Sequence, residues 1–512
     1  MSPRTGSNRV VLDRPLRWPE VAAIASHEAS LELSMDAKAR IEAANAIVRT
    51  LVERGVRAYG VNTGVGALSD ILIPRNQQSA LSRNILMSHG VGVGAPLEVS
   101  QTRAIMAAMV NNFSHGHSGL RLCVVRRIVD LLNAGCSPEV PRQGSVGYLT
   151  HAAQIGLALI GQGSVMLREE RLPAGEALAR LGLEPLSLEA KEGLCLVNGT
   201  PCATGLACLV LERTRQLMDW ADAIAAMSFE TQRCQLDAIH PEAMALRVSR
   251  GLREVAATLD TLLSGSGILA AARERRTQDA LSFRAIPQVH GAVRDVWSDV
   301  GAVVNRELES VTDNPIVAGS SDAPQIYSQA HPVGAAVGLA MDQMSIAVAQ
   351  LGMISERRLD RSVNPLVSGL PAFLAQAGGT ASGFMIAQYT AVSLVGENRR
   401  LAAPASLDGG ITSGLQEDML CHATPAASKA LDIIDNVRKI LAIELLTACQ
   451  SYDLSVKDAR PAPRTLALYE GVREVIGAYA DDRPLGMELA AAAAFIEGYT
   501  PAEIMSGSLA PE

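Results

Sequence analysis

The sequence predicts a mainly α-helical protein built around a bundle of long helices, with a smaller N-terminal region of helices and loops. Two features of the composition support this fold class: 48% of the 512 residues are hydrophobic, but only 3% are aromatic. A core this poor in aromatic rings is filled by Ala, Leu, Val, Ile and Met, which suit closely packed helices better than a β-sandwich. The third feature is periodicity, because apolar residues beyond position 205 recur at spacings of three and four.

Six stretches carry this helical period over several turns, and loops containing proline separate several of them. We expect long helices at 205–230, 243–266, 291–311, 333–358, 381–402 and 425–451. Residues 1–204 instead alternate shorter helical patterns with loops rich in glycine and asparagine. The sequence therefore predicts an N-terminal region at 1–204, which carries several polar loops, and a helix bundle at 205–512.

Charge and composition exclude several classes of function. The formal net charge is −8 and no basic block is present, so nucleic acid is not an expected partner. No apolar run reaches the ~18 residues of a membrane span, and the first residues lack the apolar segment of a signal peptide. The eight cysteines are scattered without a Cys-x-x-Cys pair, as expected of reduced core residues. We therefore expect a cytoplasmic protein that does not enter a membrane.

Seven short polar stretches interrupt the apolar surroundings, mostly at the ends of predicted helices. Each alone is ordinary, because Asn-Gly and Asp-Asn-Pro sequences are common turn formers. Together they predict loops that gather around a site. They are "YGVNTGVG" (59–66), "MSHGVGVG" (87–94), "GLCLVNGT" (193–200), "QDALSFRAIPQVHG" (278–291), "SVTDNPIV" (310–317), "GFMIAQ" (383–388) and "GLQEDM" (414–419).

The sequence does not support a metal or a dinucleotide cofactor. His115 and His117 form a His-x-His pair, but neither an HExxH motif nor a Cys/His cluster accompanies them. The "GVGVG" segment lacks the strand-turn-helix context and the downstream acid that a dinucleotide site requires. We therefore expect neither a bound metal nor a cofactor.

Taken in order along the chain, these stretches resemble the motifs of the histidine and aromatic amino-acid ammonia-lyase family. The resemblance also includes "VPRQGSVG", "ISERR", "SGLPAFL" and "LAIELLTACQ", and it covers about residues 20 to 505. It implies the fumarase/aspartase-like superfamily fold, which is mainly α with a long central helix bundle. It further implies a homotetramer that acts on a small molecule, with each active site shared by three chains.

Members of this family form their electrophile, a methylidene-imidazolone, from an Ala-Ser-Gly tripeptide that directly follows "GSVG". Here Gly147 is followed at once by Tyr148 and Leu149, so the loop is three residues shorter than the family's. An Ala-Ser-Gly does occur at 381–383, but it matches a different family motif and is typical of a helix start. We therefore expect the electrophile to be absent, as in the ergothionase-like lyases that the chain resembles in this respect.

The missing tripeptide suggests which leaving group the enzyme handles. A free amine leaves poorly without covalent help, whereas a quaternary trimethylammonium leaves as a neutral amine and has no lone pair to attack an electrophile. The sequence therefore predicts a cofactor-free carbon–nitrogen lyase that eliminates trimethylamine from an imidazole betaine, either ergothioneine (giving thiolurocanate) or hercynine. The alternatives are an inactive structural or regulatory paralogue of histidine ammonia-lyase, and an electrophile-free lyase or cyclase acting on another carboxylate.

The resemblance also assigns roles to individual residues around the substrate's backbone. Tyr59 matches the family's catalytic tyrosine, the base for the Cβ proton. Because a phenol normally titrates near ~10, Tyr59 needs a nearby positive charge, such as that of Arg284, to act near neutral pH. Arg284 matches the carboxylate-binding arginine, and a bidentate clamp suits a planar carboxylate. Asn198 and Gln278 match polar residues near the same end of the substrate.

Other matching positions concern the substrate's ring and leaving group. Glu417, also predicted to be catalytic, matches the residue that holds an imidazole N–H, while His89 and Met385 follow the histidine-type pattern. Leu281 and Ser328 stand where the family has a tyrosine and a phenylalanine beside the electrophile, so both depart from the family's pattern. Tyr148 is predicted to bind substrate through a cation–π contact with the leaving group, or else to fill the vacated space.

Overall fold

The computed structural model describes residues 8–455 and 459–507, and most of them lie in helices. The helices are α1 (Trp18–Ala25), α2 (Met35–Glu53), α3 (Gln78–His89), α4 (Val99–Ser114), α5 (Leu122–Asn133), α6 (Thr150–Leu159), α7 (Ala174–Arg180), α8 (Glu192–Val197), α9 (Pro201–Thr231), α10 (Pro241–Ala245), α11 (Arg250–Leu263), α12 (Gly267–Ala271), α13 (Leu281–Arg284), α14 (Ile286–Leu308), α15 (Ala335–Val363), α16 (Pro365–Ser368), α17 (Met385–Leu401), α18 (Ala423–Ser455), α19 (Pro463–Val475), α20 (Gly486–Gly498) and α21 (Pro501–Met505). The predicted mainly α fold class is confirmed.

The strands are short and form small separate sheets. They are β1 (Asn8–Leu12), β2 (Ala29–Leu33), β3 (Val93–Pro96), β4 (Cys136–Pro138), β5 (Pro141–Gln143), β6 (Ser164–Leu167), β7 (Glu170–Pro173), β8 (Ile316–Gly319) and β9 (Pro324–Tyr327). Strands β1 and β2 pair in parallel, whereas β3–β5, β4–β6–β7 and β8–β9 pair antiparallel. Paired strands this short stabilise loops and do not form a core of their own.

The chain folds into two compact units. Unit 1 comprises the described parts of 1–212, 301–342 and 404–428, and unit 2 those of 213–300, 343–403 and 429–512. All of the strands above belong to unit 1. The sequence predicts regions that are continuous in the chain, at 1–204 and 205–512, whereas each of these units collects several separate segments.

The long helices predicted from the apolar period are present in five of the six stretches, as α9, α14, α15, α17 and α18. The stretch 243–266 is different, because the structure divides it into α10 and α11. Ser249 accepts a hydrogen bond from the Leu252 N–H at 3.1 Å and so begins α11 as an N-cap. A helix-start signal therefore lay inside the predicted helix.

In unit 1, helix α2 shows how the apolar period becomes packing. Ser34 caps its first turn by accepting from the Ala37 N–H at 3.1 Å. One face then buries Ala44, Val48 and neighbours, and this face contacts Val317 of β8. The opposite face is charged and exposed, which is the pattern expected of a helix at the surface of a core.

Helix α4 is buried almost all round. Its Arg103 side chain caps the C-terminal ends of two other helices of unit 1. The guanidinium donates to the carbonyls of Ile24 (2.6 Å) and Ala25 (3.1 Å) at the end of α1, and of Leu132 (2.7 Å) near the end of α5. Carbonyls at helix C-termini lack intrahelical donors and carry partial negative charge, so a buried cation suits them. Burial lowers the pKa of Arg103 to about 10, which leaves it charged at neutral pH.

In unit 2, a buried carboxylate joins several of the long helices. Glu444 of α18 accepts from Arg358 Nε (2.7 Å) and Nη2 (2.9 Å), and both side chains are fully buried. Its oxygens also accept from the hydroxyls of Ser228 (2.8 Å) and Ser355 (2.5 Å). An ion pair in this setting offsets its desolvation cost only when the remaining lone pairs are also satisfied, as they are here.

Two helical stretches, Glu192–Thr231 and Ala335–Val363, are long and apolar enough to cross a membrane by length and composition alone. Their most apolar windows are 94% and 67% buried by the rest of the protein. A membrane span would have to present this surface to lipid, so the burial favours core helices for both stretches.

We predict that Glu444→Ala lowers the free energy of unfolding by about 3–5 kcal/mol, because it strands the buried Arg358 charge. Ser355→Ala, the matched control, removes one donor from the same carboxylate and is expected to cost only about 1–2 kcal/mol. Urea denaturation followed by circular dichroism measures both. Equal losses for the two variants would contradict this account of the network.

Candidate active site

Tyr59 lies in the loop between α2 and α3, and polar side chains of that loop fix its path. The Asn62 side chain accepts from the Ala58 N–H at 2.8 Å and donates to the Val56 carbonyl at 2.9 Å. The Thr63 hydroxyl accepts from the Gly60 N–H at 3.0 Å. These bonds replace the hydrogen bonds of regular secondary structure, so the loop is ordered without forming a helix or strand.

Gly60 brings this loop against α8. Its φ is +61°, and a Cβ at this position would lie 2.2 Å from Leu194 Cδ2. Only glycine fits such a close approach in the left-handed region. The Tyr59 phenol, half-buried, accepts a hydrogen bond from the Gly66 N–H at 3.3 Å, which holds the ring toward its own loop.

The "GSVG" turn before α6 is held by hydroxyl groups. Ser145 Oγ donates to the Tyr148 carbonyl (3.1 Å) and accepts from the Gly147 N–H (3.2 Å). Thr150 Oγ1 donates to the Gly144 carbonyl (3.1 Å), and Thr424 Oγ1 donates to the Gly147 carbonyl (3.2 Å). The turn is therefore tied both to itself and to the start of α18.

Leu149, at the junction of turn and helix, has φ +72° and ψ −75°. The Thr150 N–H donates to the Tyr148 carbonyl at 3.1 Å, which completes a γ-turn of the rare form with positive φ at its central residue. Such a conformation is strained for a residue with a side chain and persists only where its surroundings fix it. Here the Leu149 N–H donates to the Val197 carbonyl at 2.9 Å, and Tyr148 is left only 4% exposed.

Glu417 lies on a short antiparallel bridge at 412–417. Thr412 and Glu417 exchange backbone hydrogen bonds of 2.9 and 3.3 Å, and the Ala67 N–H donates to the Ser413 carbonyl at 3.1 Å. Residues 411–416 are exposed, but Glu417 is partly buried. The bridge therefore lies against the Tyr59 loop and turns one carboxylate inward.

One side-chain contact joins the turn before α6 to this bridge: the Tyr148 phenol donates to Glu417 Oε2 at 2.9 Å. Burial raises the pKa of Tyr148, and the Glu417 hydrogen bond and charge raise it further. The pKa of Tyr59 is also raised, mainly by burial and additionally by Glu417, although the Gly66 N–H opposes the shift. Both phenols are therefore protonated at neutral pH in this arrangement.

Two further predicted residues belong to unit 1. His89 ends α3 and lies 3.0 Å from Ser88 Oγ through Nδ1, and burial lowers its pKa, so its ring is neutral at neutral pH. Asn198 is 9% exposed, and its amide donates to the Asn314 carbonyl at 2.6 Å and accepts from the Gly199 N–H at 3.0 Å. Much of the Asn198 hydrogen-bonding capacity thus goes to the backbone, both of its own loop and of the segment at Asn314.

The remaining predicted residues belong to unit 2. Arg284 ends α13, where its Nε donates to the Asp279 carbonyl at 2.9 Å. Gln278 is exposed, and Met385 begins α17 half-buried. The positive charge of Arg284 was the expected means of lowering the pKa of Tyr59, and that role stays a prediction.

The turn at 144–149 does not contain the residues from which the family's electrophile forms. Gly147 runs directly into Tyr148, and the phenol occupies the position beside Glu417. The Ala-Ser-Gly at 381–383 lies in unit 2, where the N–H groups of Ser382 and Gly383 donate to the Asp482 carboxylate at 2.6 and 3.0 Å. The turn itself thus contains no Ala-Ser-Gly.

Sequence reasoning missed the residues that hold the loops, namely Asn62, Thr63, Ser145, Thr150 and Thr424. The signal was the alternation of Asn, Thr or Ser with glycine in "YGVNTGVG" and "GSVG", since these side chains commonly bond nearby backbone.

The two histidines of the His-x-His pair are held by backbone. His115 Nε2 lies 3.0 Å from the Leu308 carbonyl, and His117 Nδ1 lies 2.9 Å from the Val317 carbonyl. Each ring therefore joins two segments of unit 1. Within 8–455 and 459–507, no group of three or more His, Cys, Asp or Glu residues is placed to hold a metal ion.

Comparison with known proteins relates this arrangement to an enzyme family. The sequence profile of the aromatic amino acid lyases matches residues 16–474. Histidine ammonia-lyase of Symbiobacterium thermophilum is 43% identical over 490 residues, which are 95% of this chain and 96% of the relative. Histidine ammonia-lyase of Treponema denticola is 42% identical over 454 residues, 88% of each chain.

Solved structures share the fold. Histidine ammonia-lyase from Trypanosoma cruzi superposes with a TM-score of 0.89 at 36% identity and covers 98% of this chain and 96% of its own. Ergothionase from Treponema denticola superposes with a TM-score of 0.90 at 27% identity and covers 96% of this chain and 99% of its own. The predicted ammonia-lyase superfamily fold is confirmed.

These comparisons overturn the predicted reaction. Treponema denticola has both kinds of enzyme, and this chain is 42% identical to its histidine ammonia-lyase but 27% identical to its ergothionase. The prediction that the chain eliminates trimethylamine from ergothioneine or hercynine is therefore wrong. The physical reason is that a short turn reports on one part of the site, whereas substrate recognition depends on residues throughout the chain.

We predict that Gly147→Ala distorts the turn that presents Tyr148. Gly147 has φ +139°, and a Cβ there would lie 3.0 Å from Cys421 Sγ. We expect a loss of about 1–3 kcal/mol in unfolding free energy from strain. Gly163→Ala is the matched control, because Gly163 also has positive φ (+77°) but open space around its Cβ position. If Gly163→Ala is at least as destabilising in urea denaturation, contact with Cys421 is not the reason for glycine at 147.

Proposed function

Because the chain belongs to the aromatic amino acid lyase family, we propose that it is a carbon–nitrogen lyase that releases ammonia from histidine or another imidazole-bearing α-amino acid. We further propose that it does so without a methylidene-imidazolone. The observation that carries the proposal is the partly buried Glu417 carboxylate, held by Tyr148 and acting electrostatically on Tyr59. A carboxylate in this setting suits a substrate ring that presents an N–H donor.

In the proposed reaction, Glu417 accepts the imidazole N–H and the Tyr59 phenolate removes a Cβ proton. Negative charge that develops at Cβ is delocalised into the adjacent imidazole, so the ring stabilises the transition state. The Cβ–H electron pair becomes the Cα–Cβ double bond. Because a free amine leaves poorly, the nitrogen departs from its protonated α-ammonium form: it keeps the Cα–N electron pair and leaves as neutral ammonia. The products are an imidazolylacrylate and ammonia, and the proton taken by Tyr59 returns to solvent.

The proposal gives the remaining site residues the roles that the family resemblance predicts for them. Arg284 binds the substrate carboxylate, Gln278 and Asn198 supply polar contacts near it, and His89 and Met385 contribute to recognition of the ring. We propose a homotetramer with active sites shared by three chains, acting in the cytoplasm on a small-molecule substrate. Analytical ultracentrifugation tests the tetramer directly, because a monomer of 53.9 kDa sediments far more slowly.

We predict that purified protein converts L-histidine to ammonia and a product with the ultraviolet absorbance of a conjugated imidazolylacrylate. Phenylalanine and tyrosine, which lack a ring N–H at the same place, serve as matched controls and are expected to react at least tenfold more slowly, on the order of one lost hydrogen bond to a charged group. Release of ammonia from none of the imidazole-bearing amino acids would refute the proposed function.

We predict an activity that rises with pH, because the base is a phenol whose pKa is raised. Below that pKa the phenolate fraction grows about tenfold per pH unit, so kcat/KM is expected to rise from about pH 7 with a slope near one until the substrate's α-ammonium, the form that leaves as ammonia, begins to lose its proton. Tyr59→Phe is expected to lose about 10²–10⁴-fold in kcat over the same range. A flat profile, or a profile unchanged in Tyr59→Phe, would assign the base to another group.

A further inference from the structure

We propose that Tyr148 is a positioning residue that sets the specificity for an imidazole ring: its phenol holds one oxygen of Glu417 and leaves the other for the ring N–H. This inference deepens the proposed function and rests on it. It gives Tyr148 a role different from packing and from contact with a leaving group.

The first argument is that the two partners of this hydrogen bond are not held equally firmly by their surroundings. Glu417 projects from a bridge whose preceding residues, 411–416, are exposed, and a glutamate side chain has large rotamer freedom. Tyr148 is 4% exposed and follows a turn fixed by Ser145 and Thr424. The phenol is therefore the fixed partner and the carboxylate the one that would otherwise move.

The second support is the geometry of the junction at Leu149. Its γ-turn carries strain, and the strain is maintained by backbone bonds from Leu149 to Val197 and from Thr150 to Tyr148. A strained junction of this kind restricts where the Tyr148 ring can lie. The 2.9 Å bond to Glu417 Oε2 thus places a donor at a defined point beside the carboxylate.

The third argument concerns the lone pairs of the Glu417 carboxylate that the Tyr148 hydrogen bond leaves unused. A carboxylate has about four acceptor sites on two oxygens, and the phenol takes one on Oε2. Within the described part of the chain, no donor forms a hydrogen bond with the Oε1 atom of Glu417, so that oxygen can accept from a ligand. A ring with an N–H satisfies that oxygen, whereas a phenyl ring leaves it desolvated without a partner.

Affinities of two inert ligands test this role without requiring turnover. The ligands are 3-(imidazol-4-yl)propanoate and 3-phenylpropanoate, which differ in the ring and lack the amine. Isothermal titration calorimetry on the full-length protein gives the ratio of their affinities. We expect Tyr148→Phe to weaken the imidazole ligand on the order of tenfold and to leave the phenyl ligand unchanged, since only one hydrogen bond to a charged group is affected.

A double-mutant cycle asks whether Tyr148 acts through Glu417. Glu417→Gln is expected to weaken the imidazole ligand, and adding Tyr148→Phe to it is expected to weaken binding no further. Additive losses in the double variant overturn the inference, as does equal weakening of both ligands by Tyr148→Phe or weakening of neither. A wild-type protein without preference for the imidazole ligand overturns both this inference and the imidazole part of the proposed function.

The remaining outcomes separate the two proposals. A wild-type preference for the imidazole ligand that depends on Tyr148, in a protein that releases no ammonia from histidine, supports the positioning role and rejects the reaction. Tyr469→Phe is the matched control, because it removes another tyrosine–carboxylate bond, from Tyr469 to Asp453 at 2.6 Å in unit 2. It is expected to leave the ratio of affinities unchanged, so a change of the same size would assign the Tyr148→Phe effect to general destabilisation.

Discussion

The hydrogen bond from Tyr148 to Glu417 is the constraint on which the arrangement of the site depends. The loops around it contain almost no regular secondary structure, so their backbone groups bond to side chains instead, as at Asn62 and Ser145. Each loop is thus stiff within itself. The phenol–carboxylate bond links the turn before α6 to the bridge at 412–417, which in turn lies against the Tyr59 loop.

The charges around Tyr59 show why a residue's role cannot be transferred from a motif alone. A tyrosine acting as a base benefits from nearby positive charge, yet within unit 1 the charge that acts on Tyr59 is the negative Glu417. Burial acts in the same direction, since both disfavour the phenolate. The phenol is therefore a weak acid, and any base chemistry at Tyr59 depends on the substrate or on cations supplied when the site is complete.

The erroneous reaction prediction has an instructive cause. It followed from one local difference, the direct junction of Gly147 and Tyr148, and from sound chemistry about leaving groups. The structure shows what occupies that junction: a tyrosine whose hydroxyl bonds to Glu417, the residue expected to read the imidazole. The tyrosine at this junction therefore lies against the residue that the sequence predicts to recognise the imidazole. Identity over nearly the full chain groups the protein with histidine ammonia-lyases, and that broader similarity outweighs the single turn.

The sequence by itself determined the mainly helical fold and five of the six long helices, because apolar period and low aromatic content act locally along the chain. It also singled out Tyr148 and Glu417, although separately. Only the tertiary structure decided that they bond, since 269 positions separate them and no pattern encodes that approach. The γ-turn at Leu149 was likewise decided by a tertiary contact, because the Leu149 N–H donates to the distant Val197 carbonyl. The break at 246–249 instead carried a local signal, the Ser249 N-cap, which the apolar period alone does not reveal.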